Sequence, residues 1–395
     1  MLAGLRVLDC SDEQGWLAGR MLADLGADVV KVEAPDAALG KADWQAYNAN
    51  KRLLRLDLGK QGGRGALAEL LAHADILIEA ALPGSPLAEL VRPDSLSARN
   101  PRLIQVSIRP FGVDGPRAHW RASDLELMAA GGAMSLAGEP DGAPMRVSVP
   151  QAHLWAGAHA AVGALIALAR RGTTGKGQQV TVSAQAAVLT ALAHAPTFWD
   201  MLGQVPTRCG EFITGRTLSG ARMRAFWPCR DGHINFVLYG GAAGRRSNQQ
   251  LANWMREAGV PLGAVADVDW ASFDPKPLTA ARIDALEQPI LQFFAGLTKR
   301  EFLEGAAARE MLGFPVSTVE DIATDPQLEA RGFWDDVQSP DGKRARHCGS
   351  FVIVGGARAP LRYAPGQSVE LEALLADWRG ARAPAAAEAE PLGAP

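Results

Sequence analysis

Cysteine is scarce in this chain. Four residues in 395 (Cys10, Cys209, Cys229 and Cys348) stand far apart, with no C-x-x-C spacing. That argues against a disulfide scaffold or a thiolate zinc site and fits reduced thiols in a cytoplasm. Histidine is nearly as sparse, seven scattered residues, so no metal site is expected. Neither sign of charge dominates: 40 basic against 43 acidic residues give a net charge of -3, which offers nothing to nucleic acid or to a membrane surface. The longest apolar run, AGAHAAVGALIALA, contains His159 and is too short to span a bilayer. The start, MLAGLRVLDC, has one Arg and reads as a strand entering a core, not as an export leader. What is present is ordinary globular material, 48% hydrophobic and 21% charged, in a chain long enough for two domains.

The first 110 residues alternate strand and helix. Leu5–Leu8 suits a buried strand, Gly15 to Gly26 has helical periodicity with Gly26 as its stop, and ADVVKVEAP is a second strand ended by Pro35. This βαβ unit implies a parallel sheet. The turn between Cys10 and Gly15 lacks G-x-G-x-x-G, so NAD is not expected. The cluster YNANKRLLRLDL follows, then helices over 62–73 and 87–98 and strands over 75–78 and 103–108. Asn50, Lys51 and Arg52 at a strand entry can be a solvated edge or a phosphate contact. Farther on, VTVS reads as a strand, 185–202 as one helix, 225–237 as a hairpin turning at Asp231-Gly232, 239–244 (YGGAAG) as a flexible loop, and 248–258 and 283–307 as helices. The expected domains are 1–205 and 326–380 for a large α/β unit, 206–325 for a linker and small domain, and a disordered low-complexity tail over 381–395.

LAGLRVLD, LADLGADVVKVEAP, NANKRLLRLDL, NPRLIQVSIRPFGVDGP, ASDLELMAAGGAMSLAGEPDGAP and FPVSTVEDIATDPQLEARGFW arrive in that order. Together they resemble the family III CoA-transferases (CaiB/BaiF type), the group of formyl-CoA transferase and α-methylacyl-CoA racemase. The resemblance implies an open Rossmann-like large domain built from both chain ends, a smaller inserted domain and an interlocked dimer. It implies coenzyme A or acyl-CoA as substrate beside a carboxylic acid, with no metal. It places the nucleotide near Gly15, Asn50, Lys51 and Arg52, and an acyl-covering loop at Gly240, Gly241 and Gly244.

The same resemblance exposes departures. In the family an Asp, four residues before a Gly that opens a helix, attacks the thioester and then carries CoA as an aspartyl thioester. At that spacing this chain has His153-Leu154-Trp155-Ala156-Gly157, so His153 occupies the Asp position. Met128 stands where transferases usually have Gln, and I-E-N-F-x-P-G reads Ile78-Glu79-Ala80-Ala81-Leu82-Pro83-Gly84. His153 can be an inert buried histidine or a working acid/base. Several functions remain open: a CoA-transferase with a rearranged site, a degenerate subunit of a heterodimeric or larger transferase, an acyl-CoA isomerase, racemase, lyase or hydrolase using His153, and a non-catalytic CoA-binding partner. A homodimer and a heterodimer with a homologous subunit are equally compatible with the residues.

Overall fold

The computed structural model describes residues 1–338, 342 and 344–380; the tail expected to be disordered lies outside the described residues. Six short strands make one parallel sheet: β1 (Arg6–Cys10), β2 (Asp28–Glu33), β3 (Arg52–Arg55), β4 (Ile76–Glu79), β5 (Ile104–Arg109) and β6 (Gln179–Ser183). Their order is β3-β2-β1-β4-β5-β6. β4 is buried at every position and β5 at all but its last, so these strands read as apolar runs without alternation. Helices on both faces demand that pattern. The order reverses beside β1, which opens a crevice where β1 and β4 diverge at their carboxyl ends.

The helix Ala152–Thr174 covers one face. Ala156, Ala160, Ala164 and Ala167 repeat at three- to four-residue spacing and are buried, which lets the helix lie close to the sheet. At 23 residues it is long and apolar enough, by length and composition alone, to cross a membrane. The helix is longer than the apolar run AGAHAAVGALIALA because it starts at Ala152 and continues through Arg170 and Arg171 to Thr174. The helix also carries a buried ion pair, Arg171 to Asp75 at 3.1 Å, on its sheet-facing side.

The chain end returns to the same sheet. Leu53 N–H donates to Gln367 O and Val369 N–H to Leu53 O, so residues 367–369 run along the outer flank of β3. The helix Leu371–Arg379 then buries Leu374, Leu375 and Trp378 in the cluster that holds Leu54, Leu67 and Leu70.

The chain divides into two compact units: Met1–Ala133 with Arg146–Gln204 and Pro326–Pro395, and Met134–Met145 with Val205–Asp325. Met134–Met145, inside the first expected domain, therefore belongs to the second unit. That second unit has its own aromatic core, in which Phe294 meets Trp227, Phe236 and Phe302 edge-on.

Three expected helices are each two. Arg92-Pro93 splits 87–98 into Pro86–Leu90 and Pro93–Arg99, because proline disfavours a helical residue before it. Residues 185–202 form Ala184–Ala191 and His194–Leu202. Thr298 starts a new helix, Lys299–Ala308, through a capping box with Glu301, so 283–307 is interrupted. The hairpin pairs Cys229 with Gly232, which makes Arg230 and Asp231 its two-residue turn, one position earlier than expected.

Candidate functional site

A cavity of about 740 Å³ opens at the carboxyl ends of β1 to β4 and is walled by Trp16, Val32, Leu56 and Ala81 among others. Beneath it lies a buried charge cluster. Asp9 of β1 pairs in register with Lys31 of β2, which places both side chains on one face. Lys51 Nζ donates to Asp9 Oδ2 (2.7 Å), Trp16 O (2.8 Å) and Asn48 Oδ1 (2.8 Å). Lys31 Nζ sits 3.7 Å from Asp9 Oδ1 and 3.4 Å from Glu33 Oε1. Burial works against the Asp9 charge, yet Lys51 and Lys31 together hold its carboxyl below the usual range. Burial also pushes the Lys51 ammonium down to about 8 despite Asp9, with repulsion from Lys31 in the same direction. The helix Trp16–Asp24 passes so close that a Cβ on Gly19 would lie 2.3 Å from Asp9 Oδ2.

The residues expected to touch a nucleotide are placed here as follows. Lys51 has an acceptor for each of its three donors within the protein and no exposed side-chain surface. Asn50 is buried at φ +67°, a left-handed conformation Asn tolerates. Its Nδ2 donates to Asp24 and its Oδ1 accepts from Arg362 N–H, so it clamps the returning chain end. Arg52 pairs with Asp28 and, at 3.4 Å, with Asp377. Gly15 precedes the helix Trp16–Asp24, where a Cβ would come within 2.5 Å of Ser11 Oγ, so close packing explains the glycine. None of the four presents an unengaged charge to the crevice.

His153 is the second residue of the helix Ala152–Thr174 and is 3% exposed. Gly157, one turn on along the same face, lets this helix touch the helix Trp16–Asp24: its Cβ would be 3.0 Å from Leu17 Cβ. That crossing points His153 at the loop after β1. There Glu13 Oε1 lies 3.5 Å from His153 Nδ1, with Glu13 more than half exposed. Neither ring nitrogen of His153 has a hydrogen-bond partner among the described residues; nor do Gln14 Oε1, Trp16 Nε1 and Asp124 Oδ2 in the same unit. Asp124 Oδ1 accepts the His153 backbone N–H at 3.2 Å. Ser123, not Asp124, caps the helix Asp124–Ala130, in a capping box with Glu126. Met128 is buried on that helix.

Glu13, Gln14 and Trp16 carry no signal in the sequence, where the turn is marked only by the absence of G-x-G-x-x-G. The available signal was Asp9 and Lys31, charges set inside the apolar runs VLDC and DVVKVE. Chemically, a buried imidazole beside one carboxylate can hold or pass a proton, but it offers no carboxyl carbon.

Gly240, Gly241 and Gly244 belong to the second unit. The expected flexible loop is the start of the helix Gly241–Glu257, with Gly240 just before it. Gly244 is buried, and a Cβ there would stand 2.5 Å from Tyr239 Cβ, so it serves packing within that unit.

Comparison with known proteins gives a consistent picture. Residues 2–367 match CoA-transferase family III. The chain is 34% identical over 347 residues to the succinyl-CoA:(R)-benzylsuccinate CoA-transferase subunit BbsE of Thauera aromatica, covering 83% of this chain and 82% of that one. It is 30% identical to the formyl-CoA:oxalate CoA-transferase of Streptomyces avermitilis, over 91% of this chain and 89% of the relative. The crystal structure of a CAIB/BAIF family protein from Brucella suis superposes with a TM-score of 0.78 at 26% identity, covering 95% of this chain and 98% of that chain.

Proposed function

Because the chain belongs to CoA-transferase family III, we propose that it is the non-nucleophilic subunit of a transferase that moves CoA between organic acids, paired with an Asp-bearing homologue. His153 carries this reading. The family's covalent route requires a carboxylate that attacks the thioester carbonyl, then receives the released thiolate on its own carbonyl carbon. An imidazole at that position has no carbon on which CoA can be carried. The Thauera relative is by its name one subunit of a CoA-transferase, which supports pairing. Interlocking of the two homologous chains is the arrangement we expect, in the cytoplasm, where the four unpaired thiols would persist. Succinyl-CoA is the donor to try first, by analogy with that relative.

Purification from the native cell with its partners tests this: an Asp-bearing homologue should co-purify, and only the pair should exchange CoA between two acids. Transfer by the isolated chain would overturn the proposal. The variant His153→Asp, in the isolated chain, asks whether a nucleophile alone restores transfer.

One observation favours a second reading. Glu13 stands beside a His153 whose ring nitrogens have no other partner among the described residues, which is how a carboxylate orients a general base. Under that reading the isolated chain washes solvent deuterium into the carbon α to an acyl-CoA carbonyl, and Glu13→Gln abolishes the exchange.

A further inference from the structure

We infer that the crevice at the carboxyl ends of β1 to β4 excludes the phosphates of coenzyme A, so that within the proposed pair the cofactor is held by the other subunit. This deepens the pairing reading and is tested apart from it. In an open α/β sheet, phosphates bind where strand ends and helix starts present unpaired amide N–H groups. Here carboxylates of the chain already occupy four such amides. Asp9 accepts from Ser11 N–H (3.1 Å), Asp12 from Gln14 N–H (3.1 Å), Asp57 from Gly59 N–H (3.0 Å) and Glu79 from Ala81 N–H (2.7 Å). Carboxylates thus hold amides at the ends of three strands: β1 (Asp9 and Asp12), β3 (Asp57) and β4 (Glu79).

The walls add to this. Asp12, Glu33, Asp36 and Asp57 line the cavity, and among the described residues no Lys, Arg or His does. The nearby cations are engaged by the chain itself. Lys60 pairs with Asp57 at 3.0 Å, and Arg55 donates to the carbonyls of Ala34 (2.9 Å) and Pro35 (2.7 Å). Lys31 and Lys51 are sealed in the cluster below. The phosphates of CoA would enter a pocket within a Debye length, about 8–10 Å, of several like charges and meet no cationic side chain on its walls among the described residues. Val32, Leu56, Ala81 and Leu82 make part of the wall apolar, which suits an uncharged group.

Isothermal titration of the full-length chain with CoA, 3′,5′-ADP and pantetheine tests the inference. CoA and 3′,5′-ADP should give no saturable heat at millimolar concentration. Asp36→Lys combined with Asp12→Asn, which keeps an acceptor for Gln14 N–H, should raise CoA affinity at least tenfold, with the gain lost in added salt. Micromolar CoA binding by the wild-type chain, competed by 3′,5′-ADP, would overturn the inference whatever the variants do. A folded double variant, verified by circular dichroism, that still ignores CoA would overturn its electrostatic basis. Subunit composition, read by co-purification, judges pairing separately: an isolated chain that binds CoA yet co-purifies with an Asp-bearing homologue sinks only this inference.

Discussion

Two polar neighbourhoods of the large unit lie at the same end of its sheet, both buried, and they are wired in opposite ways. Around Asp9, Lys31 and Lys51 the charges answer one another, and every Lys51 donor has its acceptor. Around His153, the two ring nitrogens and Asp124 Oδ2 have no hydrogen-bond partner among the described residues, and Glu13 Oε1 stands 3.5 Å from Nδ1. A satisfied buried network positions the backbone, whereas unsatisfied buried polar atoms cost stability and persist where something other than stability maintains them. The difference separates a network the fold relies on from a set of atoms whose presence stability alone does not explain.

The comparison breaks most visibly at Lys51. Lys51→Met leaves Asp9 buried beside Lys31 alone, and removing one member of a buried pair costs about 3–5 kcal/mol. Urea denaturation should show that loss, and a near-neutral result would mean water reaches the cluster. The second unit supplies a control. Burial raises the Glu287 carboxyl to about 7 although Arg224 N–H and the Arg224 guanidinium oppose the shift. With the folded value above the unfolded one, that unit binds the extra proton only when folded. Its contribution is full below about 4.5 and fades as pH rises through about 7. Thermal melts should show destabilisation of roughly 3 kcal/mol over that window, and Glu287→Gln should flatten it.

His153→Phe tests the other neighbourhood. Replacing unpartnered ring nitrogens with an apolar ring of similar size should leave stability unchanged or raise it by about 1 kcal/mol. A loss of more than about 2 kcal/mol would place His153 with the satisfied network instead. The smallest effect is expected at Glu13, whose half-exposed pairing with His153 is worth about 0–1 kcal/mol, so Glu13→Gln should alter stability little. A large change in melting temperature there would show that the imidazole depends on Glu13 as a structural partner.

Much of the large unit was readable from apolar runs and stop signals: β1, β2, β4 and β5 fall where VLDC, DVVKVE, ILIE and IQVSIR stand. Single breakers were underestimated. Arg92-Pro93 and Thr298 each divide a periodic stretch that reads as one helix. The glycines of YGGAAG look flexible in a string, yet contacts from Tyr239 hold Gly244 inside a helix. For the site, His153 was visible as a type of residue at a spacing. Its neighbours were not, because Glu13 reaches it through a helix crossing that depends on the absence of a side chain at Gly157. Asn50, Lys51 and Arg52 show the converse: cations and amides next to one another look like a ligand clamp until their partners, hundreds of residues away for Asn50, are known.

The clamp between Asn50 and Arg362 joins positions 312 residues apart. On the ribosome, β1, β2 and β3 emerge early but wait with one flank bare until nearly the whole polypeptide has been made. Nascent chains must therefore survive most of synthesis with a sticky border showing, and release of a fragment ending before Gln367 would leave that border permanently open to strangers.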